Sequence, residues 1–270
     1  MGFNELSFDY EILVYGKSIE KGNIDLATDQ RIDDVTFAID LSSVEDRTNE
    51  VYVNIRVKTA VDYPWAEKGH KIALYQFEIK GPVSSAPKLS TSGQDLNIEH
   101  KDNLLVVKGQ DFKVTFDCQD NTLLSYERKD KQYISNSGLE NFSRGRTGLH
   151  LEDKWWGEAN GLWASFMPGK LERQPLDVDY GISIKDGNAR VTFTNKIAGD
   201  KGHIYSQISY TVYKDGDISV KATMDIDSNF VHVPRVGLSL VAPKGFETLY
   251  WYGRGPGESY CDRKLSAPVG

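Results

Sequence analysis

Hydrophobic residues along this chain recur with period two. Val51, Val53, Ile55 and Val57 alternate with Tyr52, Asn54, Arg56 and Lys58, the pattern of an antiparallel strand with one face buried. Ile204, Ser206, Ile208, Tyr210 and Val212 share one face of a later strand. Ile218, Val220, Ala222, Met224 and Ile226 share one face of the next. Between those two lies Lys214-Asp215-Gly216-Asp217, whose Asp-Gly pair supplies the positive φ of a tight hairpin. Asp186-Gly187-Asn188 predicts the same connection between Ile182/Ile184 and Val191/Phe193, and Tyr15-Gly16-Lys17 and Asp120-Asn121 predict further turns. No long stretch repeats at 3.6 residues, so the pattern predicts an all-β protein.

A boundary is predicted at Lys80-Gly81-Pro82-Val83-Ser84-Ser85-Ala86-Pro87, a Pro/Ser-rich stretch that cannot pair inside a sheet. The strand pattern before it has the size of an immunoglobulin-like sandwich short of a strand or two. A larger β region follows. Within it, residues 144–169 are rich in Gly, Trp and charge and lack alternation. A loop of that length in a compact domain is usually functional.

Composition narrows the function classes. Hydrophobic content of 39% with 26% charged residues is that of a globular chain. A net charge of -7 argues against nucleic acid as a partner. No apolar run reaches the ~18 residues of a membrane-spanning helix, and Met1-Gly2-Phe3-Asn4-Glu5 shows neither half of a signal peptide. The compartment stays open, since a fragment loses its targeting segment. Two cysteines, Cys118 and Cys261, are too few for a disulfide framework and are read as ordinary thiols, Cys118 at the end of a strand.

The five histidines and two cysteines lack metal-ligand spacing, and no phosphate loop or nucleophile elbow is present. Glu152/Asp153 and Glu258/Asp262 are the carboxylate pairs in aromatic-rich loops. They could serve a glycosidase, or brace their own loops against Arg254 and Arg263. Trp155, Trp156, Trp163 and Phe166 fall in one irregular segment beside Asp153, Lys154, Glu158 and Asn160. A flat aromatic face with polar neighbours suits a pyranose. The same rings could instead seal a core, and spacing does not decide between the two.

Several segments together resemble the C-terminal domains of bacterial β-galactosidases of glycoside hydrolase family 2. Trp65-Ala66-Glu67-Lys68-Gly69-His70 with Ala73 and Gln76 is similar to the signature that closes their second immunoglobulin-like domain. Leu89-Ser90-Thr91-Ser92 and the strands from Val106 to Phe116 resemble the start of their C-terminal sandwich. Phe142-Ser143-Arg144 resembles their Phe-x-Arg-Ala-Pro, and His232-Val233-Pro234-Arg235-Val236-Gly237-Leu238 their Pro-Arg-Val-Gly strand. Residues 251–263, from Trp251-Tyr252-Gly253-Arg254-Gly255-Pro256 to Asp262-Arg263, resemble a long and chemically unusual motif of the same family.

The resemblance implies an immunoglobulin-like β-sandwich over 1–81, a linker over 82–92, and a galactose-mutarotase-like β-supersandwich over 93–270 that is cut short. It implies a parent enzyme that hydrolyses terminal β-galactosides with retention, using two Glu on a (β/α)₈ barrel. No barrel is legible in this chain, so it should be inactive alone and should support the barrel and shape the substrate cleft. Arg144 and, more weakly, Asp153 carry over as cleft-adjacent positions. Trp155, Trp156 and Trp163 join them as the sugar-facing candidates. Arg144-Gly145-Arg146 departs from the family's Arg-Ala-Pro, which puts the substrate contact in question. No cofactor is expected on this chain; Mg or Na are the ions to look for in the parent. The expected partners are β-galactoside sugars, the barrel and N-terminal domains, and a homo-oligomer. Two other readings stand beside this one: a carbohydrate-binding module using the Trp platform, and a mutarotase-like epimerase suggested by fold alone. In the 251–263 motif, Trp251 and Tyr260 are expected to anchor the two arms, with Glu258, Asp262, Arg254 and Arg263 as a charge brace.

Overall fold

The computed structural model describes residues 2–25, 37–42, 44, 50–81, 93–145, 164–183, 186–230, 233–257, 259–260 and 263–270. It resolves into two compact units, Met1–Pro87 with Thr248–Gly270, and Lys88–Glu247. Among the described residues there are β-strands and short 3-10 turns and no α-helix, so the all-β expectation holds.

The first unit is built on a four-stranded antiparallel sheet in the order β2-β1-β3-β4. Its strands are β1 (Leu6–Val14), β2 (Lys17–Ile24), β3 (Val51–Thr59) and β4 (Lys71–Lys80). Tyr15 and Gly16, at φ 48 and 69, form the tight β1–β2 turn, as the sequence predicted. On one face, Ile12, Val51 and Val53 form a buried cluster with Tyr10, Val14, Ile55, Ile39, Leu41 and Val44. At one end of the opposite face lies an ion-pair network. Arg56 Nε sits 2.6 Å from Asp9 and its NH1 2.8 Å from Glu11, while Lys58 reaches Asp9 at 2.6 Å and Lys21 reaches Glu11 at 3.1 Å. At the other end of that face, Leu13 and Tyr52 bury Val269. The Trp65–His70 signature makes the β3–β4 connection: Tyr63 and Ala66 exchange backbone hydrogen bonds, and Gly69 takes φ 90. The Trp65 ring stacks on Tyr63 at 5.2 Å and meets His70 edge-on at 5.8 Å.

The second unit pairs two sheets face to face. The five-stranded sheet runs in sequence order through β5 (Asn97–Lys101), β6 (Leu104–Lys108), β7 (Phe112–Asp117), β8 (Thr122–Arg128) and β9 (Lys131–Ser137). After β10 (Leu139–Asn141) comes the four-stranded sheet of β11 (Glu172–Ile182), β12 (Ala189–Gly199), β13 (Gly202–Val212) and β14 (Ile218–Ile226). A last strand, β15 (Gly237–Ser239), pairs with β10 and starts at the Gly-Leu end of the predicted Pro-Arg-Val-Gly-Leu segment. Leu105, Val107, Val114, Phe116 and Leu123 of one sheet meet Val191, Phe193, Ile208, Tyr210 and Val212 of the other. Phe116 lies 5.9 Å from Phe193 and 5.2 Å from Tyr210, ring to ring. Each such fully buried side chain contributes about 1.5–3 kcal/mol. Gly187 and Gly216, at φ 69 and 93, occupy the predicted hairpins. Cys118 is a free, half-buried thiol whose pKa burial raises, helped by Asp117.

Candidate functional site

The sequence placed its sugar-facing candidates between Arg144 and Trp163. Of these, Asp153, Trp155, Trp156 and Trp163 lie outside the described residues, as do Glu152, Glu258, Cys261 and Asp262. Arg144 is described and is half-buried. The structure brings together the two chain segments that flank 146–163. Phe142 on one side and Phe166 on the other share a buried cluster with Ile197, Ile204 and Phe230. Phe166 packs on Phe230 at 5.1 Å between ring centres. Around them opens a cleft of about 190 Å³, with Asn141, Ser143, Met167, Pro168 and Arg173 in its walls.

Behind this cleft sits a polar network that periodicity did not reveal. The Glu140 carboxylate is 1% exposed and accepts Arg173 Nε at 2.7 Å. Its other oxygen accepts Asn195 Nδ2 at 2.8 Å and the Ser206 hydroxyl. Arg173 donates its remaining nitrogens to the carbonyls of Asp120 and Asn121. Asn121, predicted only as a turn residue, donates to the carbonyls of Asp177 and Thr194 and to Asn195 Oδ1 at 3.0 Å. Every heavy polar atom of the ion pair therefore has a partner, as a buried charge requires. The nearby Tyr210 phenol is pushed up to about 12, by burial first and by the Glu140 charge second. Glu140 sits two residues before Phe142, and Arg173 is the second residue of β11. The pair thus ties both flanks of 146–163 to the sandwich.

The 251–263 motif belongs to the first unit, and its Tyr252 reaches that unit's sheet. Tyr252 donates its hydroxyl to Glu50 at 2.6 Å, and Tyr52 donates to the other Glu50 oxygen at 2.7 Å. Glu50 is 6% exposed. Burial and that carboxylate raise both phenols above their ordinary range. Gln76 donates to the Val269 carbonyl at 2.8 Å and accepts the Val269 N–H at 2.7 Å. Trp251, expected to anchor one arm, is 58% exposed, and Tyr260, expected to anchor the other, is 41% exposed. Tyr252, itself 46% exposed, turns its hydroxyl to the buried Glu50 carboxylate. Arg254 braces the segment through main-chain carbonyls, those of Lys264 at 3.0 Å and Ala267 at 3.2 Å. The Trp65–His70 signature thus ends in the very glutamine that holds residue 269, a link that sequence motifs 193 positions apart could not disclose. Among the described residues no group of three or more His, Cys, Asp or Glu could hold a metal ion.

Two consecutive stretches of the chain match known families. Residues 2–80 match the family model described as β-galactosidase, domain 4, and residues 108–270 match that described as β-galactosidase small chain. A protein of Priestia megaterium named β-galactosidase is 25% identical over 98% of this chain and 25% of its own length. One of Halalkalibacterium halodurans is 27% identical over 82% of the chain and 21% of its own length. One of Streptococcus thermophilus is 26% identical over 87% and 21%. The chain spans about a quarter of the length of these curated relatives.

Proposed function

The chain belongs to the β-galactosidase small-chain family, and from that premise we propose that it is the accessory region of a β-galactosidase acting on terminal β-D-galactosides. The observation that carries this reading is the consecutive match of the chain to domain 4 and then to the small chain. In this reading the glycosidic bond is broken with retention by two carboxylates on a barrel outside this chain. The region supports that barrel, and the flanks gathered at Phe142, Phe166 and the Glu140–Arg173 pair present 146–163, with Arg144, to the substrate cleft. Sugars, the barrel and the N-terminal domains are its partners in the parent.

The test is enzymatic. The purified chain is assayed with a nitrophenyl β-galactoside, alone and after mixing with the parent polypeptide lacking this region. Turnover is expected only in the mixture. Turnover by the chain alone overturns its accessory role, and a mixture no more active than the truncated parent overturns the reading as a whole.

A further inference from the structure

The first unit is assembled from two stretches distant in sequence, and the contacts between them are directional. We propose that the β1–β3–β4 sheet face is a recognition surface for the 248–270 strap that works in trans: the strap stays bound when the covalent connection through 82–92 is cut. This goes beyond the role in the parent and does not depend on it.

Four observations carry the proposal. First, Gln76 reads the strap's main chain: its amide both donates to and accepts from Val269. Asn54 fixes that amide by accepting its second N–H at 3.0 Å, so the pairing tolerates any side chain but demands an extended backbone. Second, Glu50 is a buried carboxylate whose two oxygens are shared between the sheet's Tyr52 and the strap's Tyr252. Without the strap one oxygen would lose its phenol donor. Third, Val269 enters a small apolar socket made by Leu13 and Tyr52. Gly16 is flush beneath the Tyr252 ring, since a Cβ there would lie 2.6 Å from it.

Fourth, the strap carries its own structure. Gly253 and Gly270 exchange backbone hydrogen bonds at 3.2 and 3.0 Å, and Gly255 donates to the Pro268 carbonyl at 3.0 Å. Arg254 closes the turn between them. A segment ordered by its own hydrogen bonds loses less freedom on docking. Main-chain pairing then supplies attachment, while the Tyr252 hydroxyl and the Val269 side chain supply selectivity, the division seen when sheets bind extended peptides. The partner this face fits is a glycine- and proline-rich segment folded back on itself, with a phenol placed to reach Glu50.

The experiment uses the full chain with a protease site introduced in 82–92. After cleavage, size-exclusion chromatography and native mass spectrometry are expected to find both halves in one 1:1 complex. In that complex the Val269 amide, which donates to Gln76, remains protected from hydrogen exchange. Gln76→Leu combined with Tyr252→Phe is expected to raise the concentration at which the halves separate by at least about tenfold, with the uncut variant still folded by circular dichroism. Separation of the wild-type halves overturns the proposal, as does exchange of Val269 at the rate of a free peptide. A double variant that holds as tightly as wild type also overturns it. Should the double variant not fold, the exchange measurement on the cleaved wild type decides.

Discussion

Gln76 and Val269, 193 residues apart, are joined by two hydrogen bonds between a side-chain amide and one residue's main chain. The arrangement copies one rung of a sheet with a side chain in place of a strand. Leucine at position 76 would keep the volume and remove both bonds, leaving a half-buried N–H and carbonyl unpaired. Gln76→Leu is expected to cost about 1–3 kcal/mol, read as a lower urea midpoint for the first unit. An unchanged midpoint would mean that water replaces the amide at no cost.

Gly16 gives a second, local test. It sits at φ 69, and a Cβ would meet Tyr252 Cε2 at 2.6 Å. Alanine there brings both backbone strain, about 1–2 kcal/mol, and a ring contact that must open. A double-mutant cycle separates the two, with Gly16→Ala measured alone and in a Tyr252→Ala background. The penalty should shrink in that background; equal penalties would remove the ring contact from the account.

What the sequence disclosed and what it hid follow from the range of each interaction. Strands such as β3, β13 and β14 were legible because alternation is local, and the turns at Gly16, Gly187 and Gly216 because positive φ needs particular residues. The Glu140–Arg173 pair was not, since a carboxylate two residues before Phe142 looks like any surface glutamate until β11, β12 and β13 close around it. Tyr252 was passed over for Trp251, whereas the decisive property was a hydroxyl able to reach Glu50. Of the candidate sugar-facing residues, only Arg144 falls among the described residues.

Alkaline pH should loosen the strap. Tyr52 and Tyr252 have phenol pKa values raised by burial and by Glu50. A raised folded-state pKa means that this stabilisation is complete below the unfolded value near 10 and is lost as pH rises from there through the folded value. Ultraviolet titration should therefore show phenolate appearing later in the native protein than in urea. Tyr252→Phe should remove one of the delayed groups.

The acid side is governed by the other end of the same face. Burial works against ionisation of Asp9 and Glu11. Lys58 and Arg56 around Asp9, and Ser18, Lys21 and Arg56 around Glu11, outweigh it and leave both carboxyls below their ordinary values. A lowered folded-state pKa contributes stability that is present above about pH 4 and is lost as pH falls through the folded values. Arg56→Met should flatten this acid dependence; if the wild type and variant lose stability in parallel from pH 5 to 2, the network is not its source.

Glu140 and Arg173 allow the sharpest separation of roles. The carboxylate side chain is 1% exposed and the guanidinium 19%, so removing one partner strands the other in a nearly dry site. Glu140→Gln keeps the shape but leaves Arg173 without its counter-charge, at a cost of up to about 3–5 kcal/mol. Glu140→Leu with Arg173→Met removes both charges and should cost less than the sum of the two single changes. The same variants bear on the presentation of 146–163. If the pair positions its flanks, Arg173→Met in the complemented parent should raise KM for a nitrophenyl galactoside while leaving kcat nearly unchanged. An unchanged KM alongside a large loss of stability would confine the pair to holding the sandwich together.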